Sequence, residues 1–193
     1  MKIKLIVITI IIIMTGFWYT QYLNNNLEND DLLNTADKVN IDTKVSRALT
    51  NLYNTSKAAS LLAPNAKAIL VFPDIIKGGF IIGGQYGKGA LQVNNTTTSY
   101  YNLISASYGL QAGFQTLGYA LFLMTDDAVS YINQTDGWEI GADPNIVIID
   151  QGLADSLSTT SLNKDIYVFF FDQKGFMAGV SIQGTKITKI NTQ

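Results

Sequence analysis

Residues 67–93, KAILVFPDIIKGGFIIGGQYGKGALQV, are where the chain changes period and where its fold is decided. Ala68–Phe72 is a short apolar run bounded by Pro73. Phe80–Ile82 and Ala90–Val93 are further apolar pieces set around Gly78, Gly79, Gly83, Gly84, Gly87 and Gly89. Runs this short, punctuated by Gly and Pro, predict strands and tight turns rather than helix. The same style continues to the carboxyl end. A polar turn is expected at Asn94–Ser99, then strand character over Tyr100–Ser107. A bent or bulged strand pair is expected over Leu110–Met124, because Gly113 and Gly118 interrupt it. Ile146–Ile149, Asp165–Phe171, Met177–Gln183 and Lys186–Ile190 read as strands, with Asp172-Gln173-Lys174-Gly175 as a hairpin turn.

Helices are expected mainly before this region. Val45, Leu49, Leu52 and Tyr53 recur at helical spacing behind Asp42, which reads as an N-cap. A second short helix over Ser56–Ala63 must end at Pro64. One later helix, Thr125–Asn133, has Thr125 as its cap and Asp126 and Asp127 in its first turn. The fold class is therefore α+β: N-terminal helices followed by a mainly antiparallel β domain, preceded by a single transmembrane or signal segment.

That leading segment is residues 1–23. Lys2 and Lys4 precede an apolar run that closes on Phe17, Trp18, Tyr19 and Tyr22. As a helix, Leu5–Leu23 would rise roughly 28 Å, close to the hydrocarbon thickness of a bilayer. Lysines before the span and Glu28, Asp30 and Asp31 after it keep the amino terminus inside and export the rest. An uncleaved anchor and a cleaved signal peptide both fit, and the lack of a small-residue cleavage pattern favours the anchor. The organisation expected is an anchor over 1–23, a polar tether over 24–40 and a domain over 41–193.

Composition excludes much chemistry. The 193 residues contain no His and no Cys, which removes disulfides, thiol nucleophiles, imidazole bases and zinc sites of the usual kind. Beyond Lys2 and Lys4, 11 basic residues face 15 acidic ones, so no nucleic-acid partner is expected. The glycine cluster fails as a phosphate loop, because Ile82 and Gly89 stand where Gly and Ser/Thr belong. It fails as a dinucleotide fingerprint at Gln92. The carboxylates sit near helix starts and turns, and no Asp-x-Asp-x-Asp-Gly loop occurs. No catalytic residue, cofactor or metal site is expected. From Gly89 to Asn163 there is no Lys or Arg, so any basic face must be gathered from Lys67, Lys77 and Lys88 and from Lys164, Lys174, Lys186 and Lys189.

Four blocks in order carry a family resemblance: Ala66–Pro73; Lys77–Gly84 with Gly87-Lys88-Gly89; Ser107–Gly113; and Asp165-Ile166-Tyr167 with Lys174–Ser181. Together they resemble the SYLF domain family, whose members include actin-associated eukaryotic proteins and exported bacterial ones. The resemblance implies N-terminal helices with antiparallel strands, phospholipid or phosphoinositide binding, and no established catalysis. Asn24–Asn40 corresponds to a basic amphipathic segment in eukaryotic relatives but is acidic and polar here, so actin binding is not expected. Lys77, Lys88 and Lys174 fall inside matching blocks and are the lipid-headgroup candidates. The function expected is a membrane-tethered, non-enzymatic lipid-binding module of the cell envelope. The alternative is a structural or protein-interaction module, with an envelope protein seated on aromatic residues such as Tyr86, Tyr100, Tyr101 and Phe169–Phe171.

Overall fold

The computed structural model describes residues 32–79, 82–108, 113–133, 138–140, 146–149, 164–175 and 185–192. They fall into two compact units. In the smaller one, Leu32–Leu33 pairs in parallel with Asn191–Thr192. The larger, Thr35–Ile190, is the α+β domain. The apolar segment 1–23 lies outside the described residues. Among the described residues no helix is long and apolar enough to cross a membrane.

Helix α1 runs over Thr35–Thr55 and α2 over Lys57–Leu62, with Ser56 capping α2 through its hydroxyl. Pro64 sits in a 3-10 turn, Ala63–Asn65, that ends the helical part. Helix α1 starts seven residues before Asp42, so Thr35–Asn40 is not tether as the sequence suggested. Its buried stripe is Ile41, Val45, Ala48, Leu49 and Leu52, and Ile41 is the first residue on it. The preceding turn is mostly exposed and polar, so it gives no apolar period to read. Asp42 lies within the helix. Its carboxylate accepts from the Thr97 hydroxyl (2.8 Å) and the Tyr100 phenol (2.9 Å), fastening α1 to the sheet.

Among the described residues eight strands of one sheet follow: β1 Ala68–Gly79, β2 Ile82–Val93, β3 Thr96–Tyr108, β4 Gly113–Leu123, β5 Trp138–Ile140, β6 Ile146–Ile149, β7 Ile166–Gly175 and β8 Thr185–Lys189. They form one sheet in the order β5-β8-β3-β2-β1-β4-β7-β6, antiparallel except for β6 with β7. Helix α3, Asp126–Ile132, is capped by the Thr125 hydroxyl as the sequence predicts. The β2–β3 turn is only Asn94-Asn95, both at positive φ (50° and 61°), as a two-residue hairpin requires. Thr96–Ser99, expected in the turn, already pairs as strand.

Two expected breaks are absorbed as bulges. Pro73 does not stop β1; the pairing shifts past it against both neighbours, between Val71 and Ile76 and between Phe72 and Ile75. Asp172–Gly175 is not a hairpin turn. Strand β7 continues to Gly175, and Asp172, at φ 51°, lies where its register with β4 slips. Leu110–Met124 is not a strand pair but contributes the single strand β4. The expected strand Met177–Gln183 lies outside the described residues.

One sheet face, the inner one, carries Leu70, Phe72, Ile75, Leu91, Tyr101, Leu103, Leu117, Tyr119, Leu121, Val168 and Ile187, and α3 adds Ala128 and Ile132 to that core. The outer face receives α1 on β1 and β2. Tyr100 reports on that joint. Burial first, then the hydrogen bond and negative charge of Asp42, push its phenol from 10.0 up to about 12. A raised folded value favours the protonated phenol, so its stabilisation is full below pH 10 and is lost between pH 10 and about pH 12. Denaturant titrations over that window should show Tyr100→Phe falling less steeply with pH than the wild type. Equal slopes would mean that Tyr100 does not couple the helix to the sheet.

Candidate functional site

The glycine-rich end of the sheet carries two adjacent cross-strand rows, one on each face. Strand alternation dictates this, since neighbouring residues point to opposite sides. The outward row reads Lys186 on β8, Ile104 on β3, Tyr86 on β2, Ile76 on β1, Thr116 on β4 and Lys174 on β7. Phe114 stands beside Thr116, two residues along β4 on the same face. At about 4.8 Å per strand, the two lysines are roughly 24 Å apart.

Outward positions of a half-covered antiparallel sheet are ordinarily polar. Here Ile76 is 50% exposed, Ile104 53%, Phe114 56% and Tyr86 39%. Single exposed apolar side chains are common, but four that adjoin across four strands form a patch, and patches mark binding surfaces. Helix α1 borders it. A cavity of about 290 Å3 at that border is lined by Ile41, Lys44, Ile76, Tyr86 and Lys88, among others, with Lys44 held to Asp74 at 2.9 Å.

The inward row reads Thr185, Ser105, Gln85, Lys77, Gln115 and Gly175 on the same six strands. The five side chains before Gly175 are each less than a tenth exposed. Desolvation lowers the Lys77 ammonium from its ordinary value of 10.5.

The structure therefore does not gather the three sequence-derived lysines. Lys77 points inward and is buried. Lys174 is exposed at one end of the outward row. Lys88 faces outward opposite Asn102, half-buried beside α1. Lys186, not among those three, takes the β8 position of the outward row, with Glu139 of the edge strand β5 opposite it in register. Of the aromatic residues offered as a partner face, Tyr86 is exposed, Phe170 is half-buried, and Tyr100, Tyr101, Phe169 and Phe171 are buried. Ile76, Ile104 and Phe114 carried no signal singly; alternation against Ile75, Leu103 and Gln115 would have placed them on one face. Among the described residues no three acidic side chains come together as a metal site would need.

No curated protein matches the chain. Residues 104–192, just under half of it, match the family model Ysc84, described as Las17-binding protein actin regulator. The match takes in the end of β3 and all of β4 to β8. In the sheet β3 and β4 are separated by β2 and β1, so the matched part is completed by strands that precede it. Two of the four resembling blocks lie inside the match, and the two before it build those central strands. Residues 104–192 thus belong to the Ysc84 (SYLF) family.

Proposed function

We propose that the chain is a membrane-tethered, non-enzymatic module of the cell envelope, exported behind residues 1–23, whose outward sheet row binds the surface of an anionic phospholipid bilayer. The observation that carries this is the apolar patch Ile76–Tyr86–Ile104–Phe114 between Lys174 and Lys186. Apolar side chains sink into the headgroup boundary, and flanking cations meet lipid phosphates. Each lysine near an anionic surface contributes about 1 kcal/mol. Half-burying an Ile or Phe contributes roughly another 1 kcal/mol. The sum is a few kcal/mol, too little for durable attachment, and a tether offsets that by raising the local concentration. The absence of His and Cys supports a binding role over a catalytic one. The family's description names Las17 binding and actin regulation; the acidic Asn24–Asn40 stretch argues against actin for this chain.

Fragment 32–193 retains the whole α+β domain and tests the reading without the apolar segment. It should co-sediment with vesicles containing phosphatidylserine, much less with phosphatidylcholine alone, and be released by high salt. Equal recovery with both vesicle types and with none would end the lipid assignment. A stoichiometric envelope protein crosslinked through Tyr86 or Phe114 would replace it with the protein-partner reading.

A further inference from the structure

A cleft of about 720 Å3 lies between α1 and the tip of the β2–β3 hairpin, within the range of roughly 300–1,000 Å3 usual for small-molecule sites. Gln92, which lines it, is six residues beyond Tyr86 on β2, so the cleft is roughly 20 Å from the outward row. Asp42, Ser46, Leu49 and Tyr53 form one wall, and their spacing places them on one face of α1. Gln92, Asn95 and Thr96 belong to the other. Among the described residues, Leu49 is the one aliphatic side chain in the lining, and neither Lys nor Arg enters it. Tyr53 is half-buried, yet its phenol has no hydrogen-bond partner among the described residues, and the Gln92 carboxamide has none either. Polar groups partly withdrawn from water and left unbonded are costly in a purely structural surface.

We infer that this cleft is a binding site for a neutral oligosaccharide, separate from the bilayer-binding patch and independent of it. The lining decides the class. One carboxylate and no cation repel an anion. Hydroxyls and carboxamides both donate and accept, which matches the hydroxyls of a sugar ring group for group. Asp42 supplies the strongest acceptor. Its two oxygens each accept one bond, from Thr97 and from Tyr100, and each keeps lone-pair capacity for a sugar hydroxyl. Those same two bonds hold the carboxylate in place, so little ordering is left to be done when a ligand arrives. The Tyr53 ring offers an apolar surface to the C–H face of a sugar, while its phenol reaches the hydroxyls at the ring edge.

The test is calorimetric titration of the full chain in a polyoxyethylene detergent, which carries no sugar of its own. The probes are cellotetraose and the tetrasaccharide of N-acetylglucosamine, with sorbitol as the background for unspecific polyol effects. Wild type should give saturable heat with at least one tetrasaccharide and none with sorbitol, and the Kd should not change with salt, because no charge pairing is involved. Binding of one tetrasaccharide alone supports the site and identifies the sugar. Tyr53→Ala and, separately, Gln92→Ala should each weaken binding about tenfold, while Lys174→Ala in the outward row leaves it unchanged. Gln92 is only half-buried near the end of its strand, so that variant covers the case in which Tyr53→Ala fails to fold. No saturable heat from either tetrasaccharide, or undiminished binding in both cleft variants, would overturn the site. So would tighter binding of an acidic chain such as a galacturonic acid oligomer, which Asp42 should repel. Vesicle co-sedimentation of Gln92→Ala should match wild type, so this site and the outward-row reading can fail separately.

Discussion

Changing Ile76, Ile104 and Phe114 together to serine is expected to lower the partitioning of fragment 32–193 onto phosphatidylserine vesicles by about a hundredfold, with little change in its denaturation midpoint. The three side chains are each at least half exposed, so the fold draws little stability from them. At roughly 1 kcal/mol each on insertion, their loss sums to about 3 kcal/mol, or two decades. Changing Lys174 and Lys186 to alanine removes about 2 kcal/mol at low ionic strength, a loss near thirtyfold that should shrink as salt screens the contact. The opposite salt behaviour of the two variants separates insertion from charge attraction. If the serine variant binds like wild type, the patch is not the contact surface.

Gly89→Ala should be severely destabilising. A Cβ at this position would stand 2.3 Å from the Val71 carbonyl oxygen and 2.6 Å from the Phe72 ring. Val71 is backbone of the paired strand β1, so the clash cannot be relieved by turning a side chain. Overpacking of this kind costs typically 1–3 kcal/mol and, against backbone, about 3 kcal/mol or more is expected. Gly78→Ala is the matched control, since its nearest contacts, the Gly113 carbonyl and the Phe114 ring, are at 3.9 Å. Urea unfolding should show Gly78→Ala within about 1 kcal/mol of wild type and Gly89→Ala far below it. Similar midpoints for the two would show that β1 and β2 are not packed as closely as described.

These two glycines look alike in the sequence, and so do many of the features that matter here. The helices were readable because their determinants are local: Leu49 and Leu52 at helical spacing, Ser56 and Thr125 as caps, Pro64 as a stop. The apolar run at β1 was readable too, but not its length, because the bulge that accommodates Pro73 depends on both neighbouring strands. Asp172–Gly175 has the composition of a turn, yet β4 continues alongside it and pairs with Lys174 and Gly175, so the break at Asp172 becomes a bulge. The two rows were unreadable for a further reason. Each draws on six strands whose order, β8-β3-β2-β1-β4-β7, is not their order in the chain. Lys77 illustrates the consequence. Among glycines it resembles a surface lysine, but it is an even number of positions beyond Ile75, and Ile75 faces the core.

The absence of cysteine makes one direct measurement clean. Ala106 is exposed two residues beyond Ile104 on the same face, and Ser130 is exposed on α3 across the sheet. Each can be changed alone to cysteine in fragment 32–193 and spin-labelled, and the depth of the label read with phosphatidylserine vesicles present. The outward-row account predicts that the label at 106 enters the bilayer and becomes shielded from a water-soluble relaxant, while the label at 130 stays in water. Equal aqueous accessibility at both positions, in protein that is demonstrably vesicle-bound, would contradict it.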